Sequence, residues 1–246
     1  MSDSHFFGFQ EVDADEKTQK VKEVFDSVAG RYDLMNDLMS LGLHRIWKAH
    51  ALNELGLRPN MKVLDLAAGT GDLSVGIQRR LRGRGEIVSS DINLSMLAIA
   101  RDRLINRGIA QTRCVQSDAQ ALAFADCFFD RAVIAFGLRN VTEKSNALRE
   151  ALRVLKPGGK LVILEFSKLQ AKSLERLYDF YSLQALPMLG KVVAKDAQSY
   201  RYLAESIRMH PDQQALSFLM KRAGFSHIKF RNLGAGIVAI HSGFRL

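Results

Sequence analysis

Asp65 and Asp91 each close a short apolar run, and between them lies the loop Ala67-Ala-Gly-Thr-Gly71. Carboxylates at strand ends can accept hydrogen bonds from ribose hydroxyls, and glycines let the backbone turn tightly toward a ligand. Val63, Leu64 and Leu66 form the apolar run of a buried parallel strand, and a helical pattern starts near Leu73. Strand, glycine turn and helix N-terminus together present backbone N–H groups at the carboxyl edge of a sheet, where open α/β folds bind nucleotides. A dinucleotide would call for Gly-x-Gly-x-x-Gly, which is absent here. Asp91 follows Gly71 by about the twenty residues expected of a ribose-binding acid. The two carboxylates could instead merely cap strand ends and turns, but their spacing favours a nucleoside cofactor.

The elements that must position this loop follow in order. The first 20 residues show no sustained period and read as a flexible arm. Val21, Val24, Phe25 and Val28 fall on one helical face. With the irregular stretch Tyr32–Trp47 and a short helix ending near Leu57, they form a helical cap over residues 21–58. Five alternations of strand and helix come next, with strands near 62–66, 86–91, 112–116, 128–135 and 161–166. Asp118 stands at the third strand end, and Phe136-Gly-Leu-Arg-Asn-Val141 follows the fourth strand. Thr142 suits a helix N-cap, and Pro211 the first turn of a late helix. A helical insertion with Tyr178, Phe180 and Tyr181 spans about 168–210. Two terminal strands, Ser226–Asn232 and Ile237–His241, read as an antiparallel pair beside the parallel sheet.

The 246 residues and 47% apolar content suit one α/β domain. Cys114 and Cys127 lack metal-like spacing, and no apolar run could serve as a signal peptide or span a bilayer. A cytoplasmic setting is therefore expected. A net charge of +9 could serve nucleic acid or anionic lipid, but arginines scattered over helices account for much of it.

The loop from Asp65 to Gly71 is similar to the first motif of the S-adenosylmethionine-dependent methyltransferases. Longer patterns narrow this further. They are Tyr32-Asp33-x-Met35-Asn36 with Ser40, His44 and Trp47; Arg153-Val-Leu-Lys-Pro-Gly-Gly159 continuing to Glu165-Phe-Ser167; Phe136–Val141; and Tyr200–Asp212. Through them the chain resembles the UbiE/Coq5 family of quinone-biosynthesis C-methyltransferases over nearly its whole length. The resemblance implies a class I, Rossmann-like fold: a mostly parallel seven-stranded sheet with an antiparallel C-terminal strand. It also implies methylation of a ring carbon of a prenylated benzoquinol, a demethylmenaquinol, or both, with S-adenosyl-L-methionine as cofactor. Cofactor contacts are expected at Asp65, Gly69, Thr70, Gly71, Asp91, Asp118 and Ala119. Several relatives carry Ser where this chain has Ala135, so a hydroxyl contact expected there is missing.

The chemistry needs neither metal nor covalent intermediate. A deprotonated quinol pushes charge onto ring carbons, and the protein must orient two reactants, stabilise a phenolate-like oxygen and accept a ring proton. Arg139 and Asn140 are expected to face the crevice, Arg139 stabilising the oxygen and His210 being its rival. Tyr32 and His44 are expected on the substrate side, although a histidine among apolar residues is more often structural, and Trp47 reads as a core anchor. A lipid-soluble substrate and a basic chain together suggest peripheral contact with the anionic inner membrane face. A homo-oligomer or a quinone-biosynthesis complex stays open. An RNA methyltransferase would explain the basic charge, but no interleaved basic and aromatic run is present, and nucleic acid is not expected as a partner. A non-catalytic binding scaffold would not need Asp65, Gly69, Gly71 and Asp91.

Overall fold

The computed structural model describes residues 5–109, 112–170 and 197–246. Its centre is a seven-stranded sheet made of β3 (Lys62–Leu66), β4 (Glu86–Asp91), β5 (Arg113–Gln116), β6 (Phe129–Ala135), β7 (Leu155–Phe166), β8 (Ser226–Leu233) and β9 (Val238–Phe244). The strand order is β5-β4-β3-β6-β7-β9-β8. All pairings are parallel except those of β9, which runs antiparallel to both β7 and β8. The chain works outward from β3 through β4 to β5 and then crosses back to β6. The order therefore reverses between β3 and β6, and the crevice above their carboxyl ends is where open sheets of this kind bind ligands.

Strand alternation divides the core into two layers. Leu64, Leu66, Val88, Ala132, Ile134, Leu161 and Ile163 pack beneath α6 (Lys144–Val154) and α8 (Gln213–Ala223). Val63, Ile87, Val133, Val162 and Leu164 face α3 (Leu43–Glu54) and α4 (Asp72–Leu81), where Trp47, Ala51, Leu55, Ile77 and Leu81 meet them. Trp47 is the buried anchor expected of it, near Phe136 and edge-on to Phe166. The helix α5 (Leu94–Asn106) links β4 to β5.

The N-terminal part departs from expectation. Residues read as a flexible arm form an antiparallel hairpin, β1 (His5–Phe7) with β2 (Gln10–Val12), and α1 (Ala14–Val28) begins well before Val21. Distant contacts replace local periodicity as the cause. Phe9 N–H donates to Glu205, and the Phe7 ring stacks on Tyr202 at 4.2 Å, both partners lying on α7 (Ala197–Met209). Asp13 caps α1 by accepting from Glu16 N–H at 2.7 Å. The irregular Tyr32–Trp47 stretch resolves into two helices, α2 (Tyr32–Ser40) and α3, broken by Leu41 and Gly42 in left-handed conformation.

Two expected caps are also displaced. α6 starts at Lys144, leaving Thr142 outside the helix, and Asp212 rather than Pro211 begins α8 by accepting from Ala215 N–H. Tyr178, Phe180 and Tyr181 lie outside the described residues, as does most of the expected insertion. Its last part is α7, read from sequence only as a polar segment.

Candidate active site

A cavity of about 90 Å³ opens above the carboxyl ends of β3, β4, β5 and β6, the edge at which open sheets of this kind bind ligands. Gly69, Ser90, Asp91, Asp118 and Ala119 line its sheet side, with Gly137, Asn140 and Val141 on the loop after β6. Its roof is Thr18, Val21 and Phe25 of α1 together with Tyr32. Asn93 fastens this roof, since its side-chain amide donates to Asp26 on α1 at 2.8 Å while its oxygen caps α5.

Asp91 organises the floor. Its two carboxylate oxygens accept from Gly69 N–H at 2.8 Å and Asn93 N–H at 2.9 Å. Burial pushes its pKa up, and these backbone donors oppose that shift. Gly69 adopts φ +55°, and a Cβ there would stand 3.7 Å from the Tyr32 ring, so the missing side chain leaves backbone exposed to the cavity. Asp118 accepts from the backbone and side-chain nitrogens of Gln120, whose own oxygen accepts from Glu143 N–H. Ala67 and Phe136, both lining the cavity, hold positive φ. The loops bearing them touch, since a Cβ on Gly137 would lie 2.6 Å from that of Ala67.

Three expected cofactor residues do not line this cavity. Asp65 shares its strand face with Val63 and therefore points into the α4 layer. It is buried and accepts from Ser74 at 2.6 Å, and burial pushes its pKa up to about 7. Thr70 donates to Asp33 at 3.1 Å, and Asp33 is paired with Arg103. Gly71 stands just before α4 with φ +76°, packed against Ala100. These residues build the loop; Gly69, Asp91, Asp118 and Ala119 present it. Of the expected substrate residues, Tyr32 lines the cavity, but His44 does not. Its Nδ1 bonds Ser40 at 2.9 Å, and it faces a different recess, with Lys48, Asp72 and Arg103.

The catalytic candidates separate as well. Asn140 lines the cavity, and its side-chain oxygen accepts from the Tyr202 hydroxyl at 3.0 Å. The Arg139 side chain turns away from that cavity, contrary to expectation. Its guanidinium donates to the Phe136 carbonyl and pairs with Glu165 at 3.2 Å, both side chains nearly fully buried. The cause is Glu165 on β7, whose carboxylate also accepts from Arg139 N–H and so draws the residue beneath its loop. His210 is buried and lines neither the cofactor cavity nor the one beside it. Its ring nitrogens have no hydrogen-bond partner among the described residues, and burial, followed by the charges of Lys144 and Arg139, lowers its pKa well below the usual value.

A second cavity, of about 200 Å³, adjoins the first. Thr142 lines both, and the Tyr202–Asn140 hydrogen bond crosses between them. Lys17, Arg139, Lys144, Tyr202 and Ser206 lie on its wall, with Phe6 from the hairpin. Tyr202, Lys17 and Lys144 are residues that reading along the chain missed. No local motif marks Lys17 or Lys144, and Tyr202, although inside the Tyr200–Asp212 pattern, gains its role only through its contact with Asn140 on another element.

The fit to S-adenosylmethionine is good. The first cavity offers acidic and backbone polar groups at the strand ends, an apolar roof, and a glycine where backbone must stay bare. No group of His, Cys, Asp and Glu able to hold a metal occurs among the described residues.

Comparison with known proteins agrees with this geometry. The model of the ubiE/COQ5 methyltransferase family matches residues 13–245. The ubiquinone/menaquinone biosynthesis C-methyltransferase UbiE of Laribacter hongkongensis is 54% identical over 246 residues, covering 100% of both chains. The protein of the same name in Cellvibrio japonicus is 56% identical over 240 residues, 97% of this chain and 96% of that one. Among solved structures, an S-adenosylmethionine-dependent methyltransferase of Thermotoga maritima superimposes with TM-score 0.67 at 19% identity, over 92% of this chain and 100% of that one. The [4+2]-cyclase SpnF superimposes with TM-score 0.68 at 19% identity, over 93% and 96%. At such identities the likeness establishes the fold, which evidently carries more than one reaction.

Proposed function

The chain belongs to the ubiE/COQ5 methyltransferase family, and from that premise we propose how its two cavities divide the work of methylating a quinol ring. It is an S-adenosylmethionine-dependent C-methyltransferase of ubiquinone/menaquinone biosynthesis, acting on a prenylated benzoquinol, a demethylmenaquinol or both. S-adenosylmethionine, when bound, would supply a sulfonium methyl, which the ring carbon's electron pair would take while the sulfur kept the pair of the broken bond and the ring proton left to water.

Gly69, Asp91, Asp118 and Ala119 would hold the cofactor, Asp91 accepting from ribose hydroxyls through lone pairs left over from its backbone bonds. Asp118 can accept from an exocyclic amine in the same way. Tyr32 and the α1 roof exclude water from the reacting atoms. The quinol ring belongs in the second cavity, and the observation that carries this is the adjacency of the two cavities at Asn140, Thr142 and Tyr202. Asn140, held by the Tyr202 hydroxyl, orients the ring edge toward the methyl donor. Arg139 is a positioning residue. With its charge paired to Glu165, it fixes the turn that aims Asn140, and the enclosed His210 supports packing.

The test supplies methyl-labelled S-adenosylmethionine with either a reduced short-tailed prenyl benzoquinol or total RNA. Label is expected in the quinol fraction alone, on carbon; label in RNA would overturn the assignment.

Contact with an anionic membrane surface has its own observation. Leu34, Leu41, Leu43 and Ile46 are exposed around the α2–α3 corner, Leu41 at 77% and Ile46 at 56%. The recess beside them is lined by Arg45, Lys48, Arg79, Arg80, Arg103 and Arg107 against only Asp33 and Asp72. Exposed apolar side chains beside a basic recess suit an anionic bilayer. No helix among the described residues is long and apolar enough to cross a membrane. Flotation with phosphatidylglycerol vesicles should show binding at low salt that weakens as salt rises. Leu41→Asp with Ile46→Asp should abolish it, and unchanged flotation of that variant would refute this surface.

A further inference from the structure

The second cavity holds two ammonium groups that pair directly with no carboxylate among the described residues. Lys17 of α1 and Lys144 of α6 both donate to the carbonyl oxygen of Val141, at 3.4 Å and 3.1 Å. Neither makes an ion pair among the described residues. Of the nearby carboxylates, Glu165 is engaged by Arg139 at 3.2 Å, and Glu143, whose oxygen lies 3.3 Å from His5 Nδ1, attracts both ammoniums without contacting either. An ammonium offers three donors, so most of the donating capacity of the pair remains unused.

The arrangement is costly for the fold. Two like charges converge on one oxygen, and Lys17 is 5% exposed. Lys144 is also the first residue of α6, where the helix already carries positive partial charge and a basic residue is unfavourable. Burial followed by the charge of Lys17 lowers the Lys144 pKa to about 8, and burial likewise lowers that of Lys17. An anion placed between the two would relieve each of these penalties. The cavity wall also bears Tyr202, Thr142 and Ser206, so the same space suits an aromatic ring carrying oxygen.

We propose that Lys17 and Lys144 form the binding site for the ionised ring oxygen of the substrate, the charge that makes the ring carbon nucleophilic. This rests on the reading of the chain as a quinol methyltransferase. The hydroxyl proton leaves to water, the two ammoniums hold the oxygen's negative charge, and that charge delocalises onto the ring carbon facing Asn140 and Thr142. Arg139, neutralised by Glu165, adds little net charge to this cavity; the lysines supply it.

The experiment uses the full chain as wild type, Lys17→Met, Lys144→Met and Lys144→Arg, with two readouts. In the first, a nitrophenol whose ionised form is coloured is titrated with each protein in the presence of S-adenosylhomocysteine. Wild type should lower the probe's apparent pKa by about one pH unit or more, either methionine variant should lose most of that effect, and Lys144→Arg should retain part. In the second, methyl transfer to the reduced short-tailed quinol should fall on the order of a hundredfold in kcat for Lys144→Met, with cofactor affinity unchanged. Thermal midpoints should hold or rise, because a positive charge has left a helix N-terminus. Lys144→Gln, which keeps a donor for the Val141 carbonyl, serves if the methionine variant does not fold. Wild-type kcat in both lysine variants, or undiminished probe ionisation, would overturn the lysine assignment while leaving the methyltransferase reading intact. Absence of transfer to quinol by the wild type would defeat that reading instead, and the probe titration would still decide whether the lysines bind a phenolate.

Discussion

Replacing Asp91 by asparagine is ordinarily the gentlest change available, and here it should be among the harshest. Both carboxylate oxygens accept from backbone N–H groups, Gly69 at 2.8 Å and Asn93 at 2.9 Å, and the side chain is 9% exposed. An asparagine can offer an oxygen to only one of these donors, so its amide nitrogen must face the other. A hydrogen bond to a charged group contributes about 1.5–3 kcal/mol, and a buried donor left unsatisfied costs about 1–3 kcal/mol. Asp91→Ala loses both bonds without placing donor against donor. Each variant should therefore unfold in urea with roughly 1–3 kcal/mol less stability than wild type, and asparagine should do no better than alanine. Cofactor affinity should drop as well, because the Gly69 backbone shifts and an acceptor for ribose disappears. At about 1.4 kcal/mol per tenfold change, loss of one charged contact predicts a tenfold to hundredfold rise in Kd by calorimetric titration with S-adenosylmethionine. Asp91→Asn binding cofactor within twofold of wild type would refute the reasoning. So would a variant that lost affinity while keeping full stability, since Asp91 would then act on the ligand and not on the loop.

Asp65 should make the protein less stable as pH rises. Its folded pKa is raised from 3.8 to about 7 by burial, so its favourable contribution is complete below about pH 4 and is lost on approaching pH 7. At roughly 1.4 kcal/mol per pH unit the loss is at most about 4 kcal/mol, and Asp65→Asn should flatten a urea-derived stability profile that wild type shows falling; parallel profiles would contradict this. For the buried Arg139–Glu165 pair, Glu165→Leu or Arg139→Leu alone should cost about 3–5 kcal/mol, and the double variant much less than their sum. Additive losses in a double-mutant cycle would show that the pair does not act as a unit. Gly137→Ala forces a Cβ to 2.6 Å from that of Ala67. It should push the two cavity loops apart, costing about 1–3 kcal/mol of stability and weakening cofactor binding; a variant with wild-type melting and affinity would show that the loops yield freely.

Reading along the chain located what depends on neighbours in sequence. The strands at 62–66 and 86–91, the glycine turn between Leu66 and α4, the placement of Asp91, and the antiparallel end of the sheet all follow from short-range periodicity and spacing, because backbone hydrogen bonding and strand alternation act over a few residues. The same alternation could have flagged Asp65, since Val63 and Asp65 share the face opposite Leu64 and Leu66; deciding which face meets the ligand required the helices to be in place. Arg139 was legible as a charged residue at the right strand end, but its direction is decided by Glu165, 26 positions away on the adjoining strand. The hairpin over residues 5–12 owes its place to Glu205, 196 positions from Phe9. Lys17 reaches the carbonyl of Val141 across 124 positions, and Tyr202 reaches Asn140 across 62. Such encounters leave no periodic trace. They exist only because the two packed layers bring α1, α6 and α7 to one edge of the sheet, where the energy of a buried charge depends on what surrounds it in space.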